Sequence, residues 1–404
     1  MIESWRWFGD TDPVSLLDAR QAGAQAIVSA LHDMYDGRRW NLKDIEDHRD
    51  KISAAGLQWN VCESIPMHNS VKLRSGPYRK YISAWKDSLA NLGRAGIKTV
   101  CYNFMPVVDW TRTDLHWQLP HQGQALRFDF PEFVAYDVFI LERPGAAANY
   151  SEAALAAARE RLPVLVGDRL VQLENNIIGG LPAREAWFTR TQMRVALSEF
   201  ADMGADQLRE NLFEFLREVV PVAEDFGMQL AIHPDDPPFS LFGLPRIIST
   251  ADDARRLLAA IPSPANGLTL CCGSYGSRPD NNLPAMAKEF AARIYFTHLR
   301  NVTHEADGSF YEADHLGGDT DLIAVVRELL VEEQRRRDAG QTDADIPMRP
   351  DHGHLLLDDL NKNRINPGYS CIGRLKGLAE LRGVMRTFDW IEAQKSTSTG
   401  TASA

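Results

Sequence analysis

Two histidines, a cysteine and an aspartate each end a short apolar run in the C-terminal half of the chain. The runs MQLAIH, LTLC, IYFTH and PMRPD end at His233, Cys271, His298 and Asp351. Such runs are typical of buried β-strands, and the carboxyl ends of successive strands in a parallel barrel converge at one mouth. Because these residue types bind metals, the pattern predicts a mononuclear metal site.

The charges of these side chains also fit a divalent ion. A thiolate and a carboxylate would neutralise it, and two neutral imidazoles would complete the set while leaving an open position for substrate. Histidine and carboxylate suit Mn, Fe or Zn, and the thiolate favours Fe or Zn. Each residue alone has a simpler explanation, such as a buried cysteine that acts as a small apolar group. Their recurrence at consecutive strand ends favours the metal site.

The segment DHGH, residues 351–354, adds titratable groups beside that site. Asp351 and His352 are adjacent, so both reach the mouth only if the backbone turns at the strand end. Gly353 can provide that turn. In the alternative interpretation, His352 or His354 caps the loop.

A second segment, NPGYS, places Tyr369 immediately before the last predicted helix. The tyrosine could donate a proton into the mouth, or it could be an ordinary packed aromatic residue. Arg374, Lys376 and Arg382 on the following helix are expected on a solvated face.

Strand-like and helix-like segments alternate along the chain. The predicted strands are Glu3–Phe8, Ala26–Leu31, Leu57–Glu63, Lys98–Phe104, Met228–His233, Leu268–Cys271, Ile294–Leu299 and Met348–Asp351. The predicted helices are 13–22, 41–55, 78–95, 189–226, 250–260, 282–292, 320–337 and 371–387. Strict alternation predicts a parallel sheet with crossover helices, and eight repeats predict an α/β protein with a (β/α)8 TIM barrel. Glycines such as Gly96 and Gly227, each just before a predicted strand, are typical helix stops.

One connection is too long for a simple loop. About 85 residues separate the fourth strand from the helix near 189, and a structureless loop of that length is unusual in a compact domain. We therefore predict one TIM-barrel domain over 1–394, with an ordered insertion at about 105–186 over the barrel mouth. The insertion would serve as a lid, as the surface of a homo-oligomer such as a dimer, or as both. The Ser/Thr-rich tail, 395–404, is predicted to be disordered.

Composition excludes several classes of protein. The net charge of −11 argues against a nucleic-acid partner, and an anionic substrate would need locally placed arginine, lysine or metal charge. The N-terminal MIESWRWFGD does not have the pattern of a secretory signal, and no apolar run reaches the roughly 18 residues of a membrane span. Five cysteines without CxxC spacing are expected to be reduced thiols in a cytoplasmic protein.

Long blocks of the sequence resemble the mannonate dehydratases of hexuronate degradation, a metal-dependent family with a xylose-isomerase-like barrel. The resemblance begins at WRWFGDTDPVSL and ends at NPGYSCIGRLKGLAELRGV, so it covers nearly the whole chain. Between these ends lie LTLCCGSYGSRPDN, FTHLRNV, SFYEADHLGGD and RPDHGHLLLDD.

The resemblance implies dehydration of D-mannonate, a small sugar acid, to 2-keto-3-deoxy-D-gluconate. It implies that Mn²⁺ or Fe²⁺ is held by His233, Cys271, His298 and Asp351. Cys271 follows its strand directly and is therefore preferred to Cys272. By the same resemblance His352 and Tyr369 are the acid/base residues, in an order that the sequence leaves open. Arg6, Arg300 and Asn301 are predicted to contact the substrate.

The reaction explains why such residues are required. The C2 proton of a sugar acid is very weakly acidic, and the C3 hydroxide is a poor leaving group, so one base and one acid are needed. A metal can stabilise the charge that develops on the carboxylate. Two alternatives remain: an aldose–ketose isomerase or epimerase, and an inactive sugar-acid-binding metalloprotein. The cysteine ligand argues against the first, and the DHGH and NPGYS segments argue against the second.

Overall fold

Strands and helices alternate in the computed structural model, which describes residues 1–179 and 189–400. The strands are β1 Ile2–Arg6, β2 Ala26–Ser29, β3 Gln58–Glu63, β4 Thr99–Tyr102, β5 Asp114–Gln118, β6 Gln124–Phe128, β7 Gln229–Ile232, β8 Asn266–Cys271, β9 Ile294–His298, β10 Val302–His304, β11 Phe310–Glu312 and β12 Pro347–Arg349. All eight predicted strands are present.

Eight parallel strands close into a barrel in the order β1-β12-β9-β8-β7-β4-β3-β2. Strands β8 and β9 are buried at every position, because the barrel interior covers one face and the surrounding helices cover the other. This explains why the two strands are continuous apolar runs in the sequence. The predicted (β/α)8 TIM barrel is confirmed.

A second sheet of four antiparallel strands, in the order β10-β11-β6-β5, was not predicted. It joins a hairpin of the insertion to a hairpin that follows β9. Phe128 of β6 pairs with Phe310 of β11, and their rings stack 5.5 Å apart. The strands have only three to five residues, which is too short for a clear alternating pattern.

The helices surround the barrel and build most of the insertion. They are α1 Leu16–Gln21, α2 Leu42–Ala54, α3 Asn69–Leu73, α4 Tyr78–Arg94, α5 Phe130–Ala135, α6 Glu152–Arg161, α7 Gly167–Gly179, α8 Arg190–Ser198, α9 Ala205–Asp225, α10 Ala251–Ala260, α11 Cys272–Gly276, α12 Leu283–Phe290, α13 Leu322–Asp338 and α14 Cys371–Gly400. Gly96 and Gly227 adopt φ values of 86° and 58° before β4 and β7, as expected of helix stops. No helix in the described ranges is long and apolar enough to cross a membrane.

One predicted helix differs from the structure. The helix predicted over 189–226 is two helices, α8 and α9, because the chain leaves the helix after Ser198 and begins a new one with Gly204 as its N-cap. Helix α14 includes residues 395–400, and the disorder predicted for 395–404 stays a prediction. Residues 401–404 of the predicted tail, and 180–186 of the predicted insertion, lie outside the described residues. The single-domain limits of 1–394 stay a prediction.

The insertion lies at the carboxyl end of the barrel. It has its own apolar cluster, which includes Phe133, Tyr136 and Leu173. Its Arg112 reaches the barrel mouth, where Nη1 donates to Asp236 Oδ1 at 2.8 Å. These contacts agree with the predicted placement of the insertion over the mouth.

Candidate metal centre and active site

Three of the four predicted metal ligands form a tight cluster at the carboxyl ends of neighbouring strands. His233 follows β7 directly, Cys271 ends β8 and His298 ends β9. Their potential ligand atoms all lie within 4.8 Å of one another. His233 Nε2 and His298 Nδ1 are 3.2 Å apart. The barrel topology thus brings these three side chains together.

Asp351 completes the group from the end of β12. Its Oδ1 lies 3.9 Å from His298 Nδ1, and its Oδ2 lies 3.8 Å from Cys271 Sγ. The backbone turn that directs it inward is at Asp351 itself, with φ of 70°, and not at Gly353 as predicted. Aspartate is one of the few residue types that adopt this left-handed conformation. Gly353 has a different role, because a side-chain carbon there would lie 2.3 Å from the backbone nitrogen of Arg374.

The two adjacent cysteines have different environments. Cys271 Sγ accepts a hydrogen bond from Ser274 N at 3.4 Å and lies 3.1 Å from Ser274 Oγ. Cys272 packs in the main hydrophobic core of the barrel. Burial, and then the negative charge of Cys271, raise the pKa of the Cys272 thiol well above its usual value. Only Cys271 faces the other potential ligands.

The donor set suits a divalent cation. Burial alone would raise the pKa of the Asp351 carboxyl, but the charge of Arg349, followed by those of His352 and Arg300, holds it well below its usual range. Two imidazole nitrogens 3.2 Å apart can satisfy each other only by sharing a proton, whereas a cation between them would satisfy both. With the Cys271 thiolate and the Asp351 carboxylate, the residues present fit a mononuclear metal site.

His352 lies beside this cluster and is oriented by a glutamate that the sequence did not reveal. Its Nδ1 lies 2.8 and 2.9 Å from the two carboxylate oxygens of Glu312, the last residue of β11. Arg300 Nη1 is 3.1 Å from the same nitrogen, but it donates to Glu312 Oε1 at 2.9 Å. The carboxylate therefore accepts from both groups. The other nitrogen, Nε2, lies 3.9 Å from Asp351 Oδ1, on the side of the metal cluster.

Tyr369 packs against His352 from the other side. The two rings meet edge to face with centroids 4.9 Å apart, and Phe8 contacts the tyrosine ring in the same manner at 4.7 Å. Burial raises the pKa of Tyr369 to about 12, although the charge of Arg349 opposes this.

Two of the three predicted substrate contacts line the cavity at the metal cluster. Arg6 and Arg300 are part of its wall, with Arg6 Nη1 2.8 Å from Glu63 Oε2. Asn301 is not in this wall, and its contact with substrate stays a prediction. Its Nδ2 donates to the carbonyls of His315 and Thr320, both at 2.9 Å, so the side chain organises its own loop.

The prediction that Arg374 lies on a solvated face is wrong. It is 1% exposed, because helix α14 turns this residue toward β1. Its guanidinium lies over the Trp5 ring at 4.0 Å and donates to the carbonyls of Arg6 and Tyr369. Lys376, by contrast, is on the surface and pairs with Asp314. Arg374 thus holds the segment that carries Tyr369.

Charged residues that sequence reasoning missed lie in the cavity wall or beside it, and those in the wall are Glu63, Asp109, Asp236 and Arg349. Glu63 ends β3 and accepts from Arg349 Nη2 at 3.0 Å. The strand-end rule that selected the predicted metal ligands applies to Glu63 as well. Arg112 joins Asp236 and Glu312 at 2.8 and 3.2 Å, and it comes from the insertion, where no local pattern marks it.

Comparison with known proteins agrees with this arrangement. The chain matches the D-mannonate dehydratase (UxuA) family over residues 1–395. It is 56% identical over 394 residues to a mannonate dehydratase of Saccharophagus degradans, a match that covers 98% of this chain and 99% of the relative. It is also 56% identical over 389 residues to mannonate dehydratase 2 of Agrobacterium fabrum, with 96% and 98% covered.

A solved structure supports the same assignment. The fold is similar to the crystal structure of mannonate dehydratase from Streptococcus suis serotype 2, with a TM-score of 0.74 and 33% sequence identity. That match covers 95% of this chain and 93% of the other. Sequence and fold agree over nearly the whole length, and the chain therefore belongs to the D-mannonate dehydratase family.

Proposed function

We propose that this enzyme, a carbon–oxygen lyase, converts D-mannonate to 2-keto-3-deoxy-D-gluconate and water. One observation carries the proposal. The clustered ligand atoms of His233, Cys271 and His298 lie beside His352, whose ring is oriented by Glu312. A metal site and an acid/base group therefore share one small cavity, as the elimination requires.

The proposed cofactor is Mn²⁺ or Fe²⁺, held by His233, Cys271, His298 and Asp351. When bound, it would stabilise, as a Lewis acid, the negative charge that forms on the substrate carboxylate during loss of the C2 proton. Arg6 is proposed to assist by binding the anionic end of the substrate. Its buried Nε has no hydrogen-bond partner within the described ranges and is available to donate.

His352 is the proposed base that removes the C2 proton. Its Nδ1 donates to Glu312, which leaves Nε2 as the nitrogen that can accept a proton. That nitrogen is on the side of the metal cluster, 3.9 Å from Asp351 Oδ1. The proposal thus assigns the role of base to His352, whereas the sequence left the order of His352 and Tyr369 open.

Tyr369 is the proposed acid that protonates the departing C3 hydroxyl. With its pKa raised to about 12 by burial, the phenol is protonated at neutral pH and can donate. Its ring lies 4.9 Å from that of His352, so the two groups can act on adjacent carbons of one substrate. The C3 hydroxyl and the Tyr369 proton form the water released, and the enol that remains takes up a proton at C3 as its C2 hydroxyl becomes the keto group. His352 then releases the C2 proton and Tyr369 regains one by exchange with solvent.

A homodimer is the proposed assembly, with the insertion as its contact surface. Val164, Val166 and Val171 of the insertion are 57–63% exposed, which is unusual for three valines in one segment. Light scattering of the purified protein would report the oligomeric state.

The roles are tested with His352→Asn and Tyr369→Phe in metal-loaded enzyme supplied with D-mannonate. Each variant should retain its metal and lower turnover by roughly 10²–10⁴-fold, the usual range for a general acid or base. His352→Asn should also stop exchange of the C2 proton with deuterated solvent, whereas Tyr369→Phe should permit it. A keto-acid assay separates this activity from isomerisation, which keeps the C3 oxygen. Near-normal turnover in either variant would remove that residue from the mechanism.

A further inference from the structure

Two cavities meet at the barrel mouth. The inner one, about 90 Å³, contains the metal cluster with Arg300, His352 and Tyr369 in its wall. The outer one, about 680 Å³, opens away from it between the barrel loops and helix α8. Four residues line both cavities, and we refer to them as the collar: Tyr35, Ser64, Asn103 and Asp109.

The collar differs chemically from the wall behind it. Its members come from the loops after β2, β3 and β4 and from the insertion, and all four are polar. The inner wall holds three guanidinium groups, those of Arg6, Arg300 and Arg349, together with carboxylates that pair with them. Cations suit the carboxylate end of a sugar acid, whereas hydroxyl, amide and carboxylate groups suit its hydroxyl-bearing end.

Two collar side chains are held in place by neighbouring residues. The Tyr35 hydroxyl lies 2.7 Å from Nδ1 of His32, which is buried against Phe8. Burial, and then the charge of Arg6, keep the pKa of His32 well below its usual value, so this partner is neutral. Asn103 Oδ1 accepts from Met105 N at 3.4 Å. Its Nδ2 has no hydrogen-bond partner among the residues described.

We propose that the collar binds the hydroxyls on C4 to C6 of the sugar acid and thereby selects six-carbon over shorter acids. The inference rests on the proposed function. With the carboxylate at the metal and C2 and C3 beside His352 and Tyr369, the rest of the chain extends to the collar. Each hydroxyl can donate and accept one hydrogen bond, and the collar offers both kinds of group.

The test compares kcat/KM for D-mannonate with that for a four-carbon aldonate of the same C2 and C3 configuration. The wild-type enzyme should prefer the longer acid. Tyr35→Phe and Asn103→Ala should each lower this preference by about 10-fold, the effect of losing one neutral hydrogen bond. Tyr78→Phe is the matched control, because Tyr78 lies on α4 and lines neither cavity. It should leave the preference unchanged.

Binding provides a second measurement that does not depend on turnover. In a His352→Asn background, calorimetry should show that the collar substitutions weaken D-mannonate binding about 10-fold and leave binding of the four-carbon acid unchanged. An equal loss for both acids, or no loss in either variant, would overturn the collar assignment. Failure of the proposed function is distinguishable, because the wild-type enzyme would then form no keto acid from D-mannonate.

Discussion

Barrel strands hold one side of the active site, and loops hold the other. On the strand side, Cys271 and His298 are register partners in the β8–β9 ladder, and Arg349 is the partner of His298 in β12. On the loop side, Glu312 belongs to the second sheet and Arg112 to the insertion. The strand side is positioned by backbone hydrogen bonds of the barrel. The loop side is positioned by contacts between side chains that are far apart in the sequence.

The difference lies in how each side is stabilised. Backbone pairing fixes the position of a strand end whatever the side chain, so a ligand substitution should change chemistry more than structure. The loop side depends on buried ion pairs, such as Arg112 with Asp236 and Arg300 with Asp236 at 2.8 and 2.6 Å. Removing one member leaves a buried charge without its partner, so structure and chemistry should change together.

The largest effect is expected on the strand side. Cys271→Ser should reduce metal affinity by more than about 100-fold, since even the outer partners of metal ligands contribute roughly 10- to 100-fold. Folding should be little affected, because the substituted serine would occupy the same ladder position. Metal content after dialysis, with thermal unfolding of the same sample, measures both quantities.

Cys272→Ser is the matched control for that substitution. The Cys272 side chain packs in the hydrophobic core, so the variant should keep its metal and lose some stability through burial of a hydroxyl. If Cys272→Ser lost the metal and Cys271→Ser kept it, the ligand assignment would be reversed.

The next largest effect should appear on the loop side. Arg112→Met should destabilise the protein by about 3 kcal/mol, the lower end of the range for breaking a buried ion pair, because Arg300 still pairs with Asp236 and Glu312. Arg217→Met, which removes an exposed arginine paired with Glu210, should cost less than about 1 kcal/mol. Chemical unfolding of both variants makes the comparison.

The pH dependence of this effect has a definite sign. Burial would raise the pKa of Asp236, but the charges of Arg112 and Arg300 hold it well below its usual value. The ion pairs therefore stabilise the fold above a pH of about 4, the ordinary aspartate pKa, and lose this contribution as the pH falls below it. The difference between wild type and Arg112→Met should shrink over that acid range. A difference that stayed constant would mean that Asp236 is not the group involved.

The same contrast explains what the sequence could predict. His233, Cys271 and His298 were identified because ligand type and strand end are both visible in a few consecutive residues. Glu312 was not, since it meets His352 only after β11 pairs with β6 of the insertion. Nor could the sequence show that the Asn301 side chain bonds the backbone of its own loop, because this contact forms only once the loop is folded.

The smallest effect is expected for a substitution at the contact between the two sides, where Glu312 meets His352. Glu312 fixes the proton of His352 on Nδ1, and Glu312→Gln replaces a strong acceptor by an amide that can also donate to this nitrogen. Donation would move the ring proton to Nε2 in a fraction of molecules, so turnover should fall by about 10- to 100-fold, as for other partners that orient a histidine. KM should stay near its wild-type value, and exchange of the C2 proton should fall in parallel with kcat.

Glu305→Gln is the matched control for this prediction. Glu305 belongs to the same hairpin as Glu312 but pairs with Arg127 outside the cavity, at 2.6 Å. It should have little effect on kcat or on proton exchange. If Glu312→Gln lowered kcat without slowing proton exchange, Glu312 would act after C2 deprotonation. Equal effects of the two variants would show that the hairpin supports the site only through its stability. A parallel loss of kcat and proton exchange in Glu312→Gln, but not in Glu305→Gln, would show that the Glu312 carboxylate sets the protonation of His352 beside the strand-end ligands.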